Sequence, residues 1–410
     1  MAALFASINP NRDNDFREVL DQIGNKENDL QEDLRRRKVL APYYAEPIIA
    51  QGPGSPSLGA MQQQYIIPRG TGLYCCYNDT LSTNLGGVTL SGAAPNARYC
   101  NGYGLAHIKD ITFRVGQINL CYFTKFSLFI YYQLQDKGWR SEYLNQVKFG
   151  GTHDAAELAA PQEINISLPG PFEPLNNTLR TNKLESQIQY AINYSTPNEI
   201  IFPNAVGVTV TSAPINKSQL TTLNVVGDHQ DPIFLSMMAN PEQRLNVTTY
   251  MTQDITISTG ASRFMHSVRW GGRIEKILFY ISNKAPVDVG AGVMVMDYFT
   301  GLKIKQFRFK LDGQDFPSTG FQTAGYNRLY LTDMFGVTFD TNIYGLNIGY
   351  STHDYNAHKI NTALLDGNNI KQLDLEIEFD APLASDHEIH VYYELDKLIS
   401  VDRSGMLREF

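Results

Sequence analysis

Short apolar runs separated by Gly, Pro, Asn and Asp recur from about residue 62 to the C-terminus. Within several of these runs, such as residues 372–379, every second side chain is apolar. This period of two is typical of strands that bury one face and expose the other. The pattern predicts an all-β sandwich or jelly roll in which helices are brief, for example at residues 154–160.

The same pattern divides the body of the chain into two parts. A stretch rich in Pro, Asn and Ser at residues 213–230 is the predicted boundary, which gives one β-domain at 62–225 and another at 226–410. Each is long enough to bury an independent core. In the second domain, strands are predicted at 245–258, 267–282, 292–298, 303–311, 343–349, 372–379 and 388–395.

A faint internal repeat suggests a duplication. Residues 107–115, HIKDITFRV, align with residues 273–281, RIEKILFYI, at an offset of 166 residues (274 minus 108). This offset is close to the length of one eight-stranded jelly roll, whereas solenoid and propeller repeats have periods of roughly 20 to 50 residues. Any two strands with alternating apolar residues align in this way, so chance similarity stays open as the simpler explanation.

The N-terminal region has a different pattern. Apolar residues recur at helical spacing over residues 13–38, with acidic residues early and basic residues at the end, as the helix dipole favours. Four prolines follow within residues 41–64, which can form neither a helix nor an interior strand. The sequence therefore predicts an N-terminal amphipathic helix and an extended arm, together residues 1–61, ahead of the two β-domains.

An amphipathic helix outside a domain needs a surface on which to pack. We expect its apolar stripe and its basic end to contact something outside the β-domains, and the candidate residues are Phe16, Leu20, Ile23, Arg35, Arg36, Arg37 and Lys38. Three interpretations of the basic run stay open: a solvated helix end, a contact with an acidic neighbouring subunit, or a contact with anionic lipid or nucleic acid.

Composition narrows the class of protein. The 410 residues are 43% hydrophobic and include 23 Tyr and 21 Phe, which favours strands. The net charge of −8 is mild, so we expect no direct sequence-specific binding of nucleic acid. The N-terminus lacks the features of a signal peptide, and no apolar run approaches the roughly 18 residues of a membrane span. We therefore expect synthesis in the cytoplasm.

The expected synthesis in the cytoplasm also guides the interpretation of the cysteines and of the glycosylation sequons. The four cysteines have no metal-type spacing, and we expect free, buried thiols: Cys75, Cys76, Cys100 and Cys121. Six Asn-x-Ser/Thr sequons are interpreted as chance in an Asn-rich chain: Asn78, Asn165, Asn176, Asn193, Asn216 and Asn246.

No catalytic or metal motif stands out. The chain has no phosphate-binding Gly-Lys loop, no Gly-x-Ser-x-Gly elbow and no His-Glu-x-x-His helix. His387 and His390 are three apart, so on a strand they point to opposite faces, which is unfavourable for joint metal binding. His353, Asp354 and His358 are interpreted as surface residues. The acidic series Asp374, Glu376 and Glu378 is more simply the solvent face of a strand than a hydrolase pair. We expect no cofactor, no metal and no enzyme activity.

The last third of the chain carries a family resemblance. Residues 304–313 (IKQFRFKLDG), 326–335 (YNRLYLTDMF) and 390–406 (HVYYELDKLISVDRSGM) resemble, in order and spacing, the second barrel of double jelly-roll major capsid proteins. These proteins occur in large eukaryotic double-stranded DNA viruses and in their virophage and polinton-like relatives. The family's "LNGQ" turn is similar to Leu311-Asp312-Gly313-Gln314, and its terminal Ser-Gly-Met is matched by Ser404-Gly405-Met406.

Two further segments resemble the family. Residues 273–279 resemble its "HPVKELIW" strand, and residues 166–172 resemble its "PLPFWF" run. The chain departs from the family in lacking Gly-Gly-Leu-Ala after Ser404-Gly405-Met406.

The resemblance implies two tandem eight-stranded jelly rolls and a major capsid protein whose homotrimers tile an icosahedral virion shell. It also implies neighbouring capsomers and minor capsid proteins as partners, and an inner-membrane contact through the N-terminal arm. Loops at residues 78–101 and 312–326 are candidates for outer towers and contacts between subunits. The alternatives are a minor capsid or penton protein, a capsid-like scaffold for membrane assembly, and a cytosolic carbohydrate-binding or hydrolytic β-sandwich.

Overall fold

The computed structural model describes residues 44–49, 57–59, 62–67, 73–151, 153–172, 179–181, 184–225, 242–268, 273–316, 322–347 and 372–409, with backbone alone for 44–49, 73–78 and 223–225. The predicted helix at 13–38 and its candidate contact residues lie outside this part of the chain. So do His353, Asp354 and His358.

Strands of the first barrel cover Tyr44–Ile49 (β1), Gln63–Ile67 (β2), Leu73–Leu85 (β3), Thr89–Leu90 (β4), Arg98–Tyr99 (β5), Ile108–Val115 (β6), Ile118–Thr124 (β7), Gln162–Leu168 (β8), Leu179–Arg180 (β9), Ile188–Tyr194 (β10), Ile201–Phe202 (β11), Val210–Ser212 (β12) and Ile215–Val225 (β13).

Strands of the second barrel cover Gln243–Ile257 (β14), Arg263–Val268 (β15), Arg273–Asn283 (β16), Val287–Asp288 (β17), Met294–Val295 (β18), Gln306–Leu311 (β19), Gln314–Phe316 (β20), Gln322–Thr323 (β21), Tyr344–Asn347 (β22), Leu373–Glu378 (β23), His387–Val401 (β24) and Leu407–Glu409 (β25).

Helices among the described residues are Tyr103–Ala106 (α1), Lys125–Gln133 (α2), Lys137–Gln146 (α3), Ala155–Ala159 (α4), Pro197–Ile200 (α5) and Ala324–Phe335 (α6).

Both barrels have the same strand order. In the first, sheet 1A has the order β1-β13-β3-β8 and faces sheet 1B, with the order β2-β10-β6-β7. In the second, sheet 2A has the order β14-β24-β16-β22 and faces sheet 2B, with the order β15-β23-β19-β20. When the eight main strands of each barrel are counted along the chain, both pairs of sheets run first-eighth-third-sixth and second-seventh-fourth-fifth. This is the eight-stranded jelly-roll arrangement, present twice.

The internal repeat aligned the wrong strands. Residues 107–115 form the fourth strand of the first barrel, β6, whereas residues 273–281 form the third strand of the second, β16. The true counterpart of β16 is β3, which begins at Leu73 where β16 begins at Arg273, an offset of 200 residues. The error arose because alternating apolar residues are common to all strands. The duplication holds at the level of topology.

The first sheet reaches into the predicted arm. Residues Tyr44–Ile49 form β1, which pairs antiparallel with β13 and places Pro47 opposite Thr221. Among the described strands β1 lies at the edge of sheet 1A, and a proline, which has no N–H to donate, is tolerated on an edge strand. Residues 44–49 are therefore an edge strand of the first barrel. This agrees with the prediction that the proline-rich stretch forms neither a helix nor an interior strand. It differs from the prediction that these residues belong to an arm outside the barrel.

Two of the sequence motifs that resemble the capsid family, residues 311–314 and 404–406, form tight turns. Asp312 and Gly313 join β19 to β20, and both have positive φ, 47° and 84°, as a two-residue type I′ hairpin requires. At the C-terminus, Asp402 Oδ1 accepts hydrogen bonds from the backbone N–H groups of Ser404 and Met406, at 2.9 and 3.1 Å, while Gly405 has φ 76°. This turn returns β25 onto β24.

Helices were the main error of the sequence analysis. The brief helix expected at 154–160 is confirmed as α4, where Asp154 Oδ1 accepts from the N–H groups of Ala156 and Glu157. However, α2, α3 and α6 have 9, 10 and 12 residues, and α6 covers the predicted loop's end and the 326–335 motif. The apolar, aromatic-rich sequence of α2 resembles that of a strand, because tertiary burial rather than helix propensity stabilises this helix.

Some strand boundaries also differ. The predicted strand at 267–282 is two strands, since β15 ends at Val268 and β16 begins at Arg273. The predicted strand at 292–298 contains only the two residues of β18. Of the predicted outer loop at 78–101, the first part, up to Leu85, belongs to β3.

Both barrels stand side by side in the same orientation. The connections 86–107, 125–161 and 195–214 meet at one end of the first barrel, where β4 pairs with β12 and β5 with β11. The corresponding connections of the second barrel meet the same end, since Met294 N donates to Asn204 Oδ1 at 2.8 Å and Tyr298 Oη donates to the Glu199 carbonyl at 2.7 Å. We call this the loop end.

The opposite end, which we call the turn end, contains the start of the first described strand and the end of the last one. β1 starts there at Tyr44, paired with Asn224 near the end of β13. The C-terminal turn lies there too, because Glu185 N donates to the Gly405 carbonyl at 2.9 Å. The chain therefore enters β1 at the turn end.

Candidate functional site at the junction of the two barrels

Helix α2 occupies the junction between the barrels. It begins directly after β7, and Thr124 caps it by accepting from Ser127 N, while Ser127 Oγ accepts from Thr124 N at 2.8 Å. Of its residues only Tyr131 keeps appreciable exposed surface, because the first barrel packs on one side and sheet 2A on the other. A helix buried on both sides fixes the position of one barrel on the other.

Aromatic rings fill this junction. The Phe126 ring stacks on His390 with centroids 3.4 Å apart, and Phe129 meets the ring of Tyr280 edge-on at 5.7 Å. From the adjacent strand, Phe123 lies 5.4 Å from Tyr250 of β14. Aromatic contacts of this kind add about 0.5–1.5 kcal/mol each to the burial of apolar area. The junction therefore joins the core of the first barrel to the outer face of sheet 2A, while the core of the second barrel is a separate hydrophobic cluster.

A polar chain crosses three strands beneath α2. Ser282 Oγ lies 2.8 Å from His390 Nε2, and His390 Nδ1 lies 2.9 Å from Asp254 Oδ1. The order of groups is that of a Ser-His-Asp relay. A nucleophile must reach its substrate, however, and Ser282 is 1% exposed while the Phe126 ring covers His390. The three side chains satisfy one another's hydrogen bonds within the junction. No sequence pattern predicts this arrangement, because the three residues lie on separate strands.

One buried cation completes the junction. Lys125 at the start of α2 is buried, and its Nζ lies 4.1 Å from the centre of the Tyr298 ring. Burial lowers the pKa of Lys125 below the ordinary lysine value, while the negative charges of Glu199 and Glu388 act in the opposite direction. The Tyr298 ring face offers partial compensation for lost hydration.

Hydrogen bonds at the loop end tie the two long connections together. Arg140 of α3 donates through Nη1 to the Thr338 carbonyl at 2.6 Å and lies 3.2 Å from Asp340 Oδ2. Asp340 N donates to Gln133 Oε1 at 3.0 Å. These contacts link α2 and α3 of the first barrel to the segment after α6 of the second.

The outer face of sheet 1A differs from that of sheet 2A. It is an array of three rows across β13, β3 and β8, and the rows are Thr221-Thr80-Ser167, Gln219-Ser82-Asn165 and Lys217-Asn84-Glu163. Each of these side chains keeps part of its surface exposed. At the β8 edge of this face, Asn165 Nδ2 donates to Oε1 of Gln146 on α3 at 3.2 Å.

Large apolar side chains are exposed at several places outside the junction. They are Trp139, Val206, Met265, Val289, Met294, Tyr326, Leu329 and Met406. Tyr326 and Leu329 are successive positions on one face of α6, which makes them a paired apolar surface rather than isolated residues.

The structure also shows where the predicted cysteine, histidine and tryptophan residues lie. Cys100 and Cys121 are free and buried, as predicted. His387 and His390 do not converge, and the described residues contain no group of three or more His, Cys, Asp or Glu side chains arranged to hold a metal. Trp139 is exposed on α3. In the part of the chain that is described, no helix combines the length and apolar character needed to cross a bilayer.

Comparison with known proteins identifies the architecture. No known family profile matches the sequence, and no curated protein sequence is similar to it. Among solved structures, the chain is similar to the capsid of the virus PBCV-1 with a TM-score of 0.67 at 12% identity, over 90% of this chain and 96% of that chain. The chain has the double jelly-roll fold.

Two more structures share this double jelly roll. The Faustovirus major capsid protein has a TM-score of 0.56 at 10% identity, over 87% of this chain and 90% of that one. The mavirus major capsid protein has a TM-score of 0.52 at 9% identity, over 89% and 90%. The fold predicted from the motifs of the last third is thus confirmed, and these double jelly rolls belong to structural proteins of virus shells.

Proposed function

We propose that this double jelly-roll protein is a major capsid protein whose homotrimers form pseudo-hexagonal capsomers of an icosahedral virion shell. The observation that carries the proposal is the parallel, side-by-side arrangement of two barrels with the same strand order. Three such chains present six similar barrels, which suits a hexagonal lattice with only threefold closure. A minor capsid or penton role would need only one barrel.

The two ends of the molecule suggest its orientation in the shell. The loop end carries long connections and exposed apolar side chains such as Val206 and Val289, whereas the turn end carries the attachment point of residues 1–43. We assign the turn end to the interior. The candidate contact residues Phe16, Leu20, Ile23 and Arg35 to Lys38 would then contact neighbouring capsomers, minor capsid proteins or an inner membrane beneath the shell.

We propose a structural rather than a catalytic role, because the solved structures that share this fold are capsid proteins. The Ser282-His390-Asp254 chain has no access to a substrate, and the described residues offer no metal cluster. We place the mature protein in the virion shell after synthesis in the host cytoplasm, with no cofactor and no sequence-specific binding of nucleic acid.

Assembly tests this proposal. The full chain, expressed alone and with the other structural proteins of its virus, should form capsomers with hexagonal outlines in negative-stain electron microscopy and should enter particles. A variant lacking residues 1–43 should form the same capsomers but fail to assemble a lattice; the cut stops before Tyr44 because β1 belongs to sheet 1A. Absence of the full chain from particles would contradict the proposal.

A further inference from the structure

Three connections meet at the loop end around the side chain of Asn204. This residue lies between β11 and β12 and has φ 52°. Its Nδ2 donates to the carbonyl of Asn96, between β4 and β5, at 3.1 Å, and its Oδ1 accepts from Met294 N of the second barrel at 2.8 Å. One side chain therefore holds loops of both barrels together in a single surface.

This surface, which we call the apex, consists of residues 86–97, 203–214 and 285–296. Its three segments contain a single charged residue, Asp288, although charged residues make up 19% of the whole chain. The Asp288 carboxylate is engaged within its own hairpin, where Oδ1 accepts from Gly290 N at 2.8 Å. Because removing a charge from water is far more costly than removing an apolar group, the apex can enter an apolar environment at low cost.

Apolar side chains protrude from the apex. Val206 is fully exposed, and Val289 and Met294 are 51% and 38% exposed. Full exposure means that Val206 projects from the surface rather than lining a groove. A protein partner would have to supply a pocket of matching shape for such a side chain, whereas a lipid bilayer receives protruding apolar side chains without one.

Hydrogen bonds within the chain close the two turns that carry the valines. In the first turn, Val208 N donates to the Ala205 carbonyl at 3.3 Å. In the second, Val293 N donates to the Gly290 carbonyl at 3.0 Å, and Val289 N donates to the Val293 carbonyl at 2.9 Å. Backbone groups that enter a bilayer must find their partners within the protein. The hydrogen bonds that close these turns do not depend on water.

We propose that the apex inserts Val206, Val289 and Met294 into the interfacial layer of a lipid bilayer outside the shell. This rests on the capsid role and the orientation proposed above. Removal of one such side chain from water favours binding by about tenfold, so a single chain binds weakly. Three chains in a capsomer, and many capsomers in a shell, present their tips together and thereby raise the overall affinity.

The charge of the chain determines which lipid is preferred. The net charge is −8 and the apex contains no basic residue, so an anionic lipid offers no attraction. We therefore expect the apex to prefer zwitterionic phosphatidylcholine. The basic run Arg35 to Lys38, which lies outside the described residues, would favour anionic lipid instead.

Vesicle flotation tests the proposal. The unaltered full chain should float with phosphatidylcholine vesicles. Val206→Asp/Val289→Asp should lower the partition coefficient by roughly a hundredfold or more, since two contributions of about tenfold are lost. Both positions are exposed, so the circular dichroism spectrum should stay the same. Met265→Asp, at an exposed apolar residue of sheet 2B, is the matched control and should float like the unaltered chain.

An environment-sensitive dye then locates the contact. Attached to Val206→Cys, the dye should shift its emission to shorter wavelength when phosphatidylcholine vesicles are added, and attached to Met265→Cys it should not. No shift from the Val206→Cys variant, or flotation that requires phosphatidylserine, would overturn the inference.

Mass photometry of the same samples separates this contact from the capsomer. Trimers whose Val206→Cys dye does not shift would overturn the bilayer contact and leave the capsomer intact. Monomers whose dye does shift would contradict the capsomer and retain the bilayer contact.

Discussion

Strands β3 and β16 hold the same position in the two barrels, yet their side chains are buried differently. From Asp79 to Leu85, β3 alternates between buried and half-buried residues. From Ile277 to Ser282, every residue of β16 is buried. Its odd-numbered members Ile277, Phe279 and Ile281 line the core of the second barrel, whereas Leu278 and Tyr280 join the cluster around α2.

The difference shows which face of each barrel is covered within one chain. A strand with both faces covered has a continuous apolar run, and a strand with one solvated face alternates. The sequences show the same difference, since β16 contains the continuous apolar run in KILFYIS, whereas β3 alternates in TLSTNL. The covered face of sheet 2A should therefore tolerate few substitutions, and the outer face of sheet 1A should tolerate many in the single chain.

The largest expected effect is at the covered face. Phe126→Ala should lower the free energy of unfolding by about 3–5 kcal/mol, because it leaves a cavity over His390 in a closely packed junction. Urea unfolding at one fixed protein concentration measures this. Tyr326→Ala, at an exposed position of α6, is the control and should lower the free energy of unfolding by less than about 1 kcal/mol. Equal losses for the two variants would contradict the claim that the junction is the more tightly packed region.

A smaller loss should follow from breaking the polar chain. His390→Leu leaves the buried Ser282 hydroxyl without its partner, which costs about 1–3 kcal/mol. Adding Ser282→Ala should recover part of that loss, because the unpaired hydroxyl is then removed. Thermal melts of the two single variants and the double variant measure these losses. Purely additive losses would show that the hydrogen bond between Ser282 and His390 does not contribute to stability.

Lys125 should give an effect of the opposite sign. Because burial lowers its pKa in the folded protein, the unfolded chain binds this proton more tightly, and stability rises with pH between the lowered pKa and the ordinary value of 10.5. Lys125→Met should flatten this rise and gain on the order of 1 kcal/mol at neutral pH. Melting temperatures from pH 7 to 9.5 measure both effects; a loss at pH 7 would mean that the Tyr298 contact outweighs the cost of burial.

The smallest effect is expected on sheet 1A. Ser82 Oγ donates to Asn165 Oδ1 at 2.7 Å on a half-exposed face, so Ser82→Ala should change stability by about 0.5 kcal/mol or less. The same urea titration applies. A loss comparable to that of Phe126→Ala would show that this face is already a structural core in the single chain.

The sequence predicted the fold better than the junction. Alternation in strands such as β23 and the turns at Asp312-Gly313 and Asp402–Met406 are local features, and they led correctly to two jelly rolls. The junction depends on contacts between distant segments, such as Phe126 with His390, and no local pattern reveals them. α2 was missed because a helix buried on both sides loses its amphipathic period. Residues 13–38 and the contacts predicted for them stay predictions.

The most direct test of the capsomer is the mass of the purified full chain in solution, by mass photometry at nanomolar and light scattering at micromolar concentration. We predict a species of three chains, each of 46.0 kDa, that persists on dilution. A monomer at both concentrations, from protein whose circular dichroism and melting show a folded chain, would contradict the account.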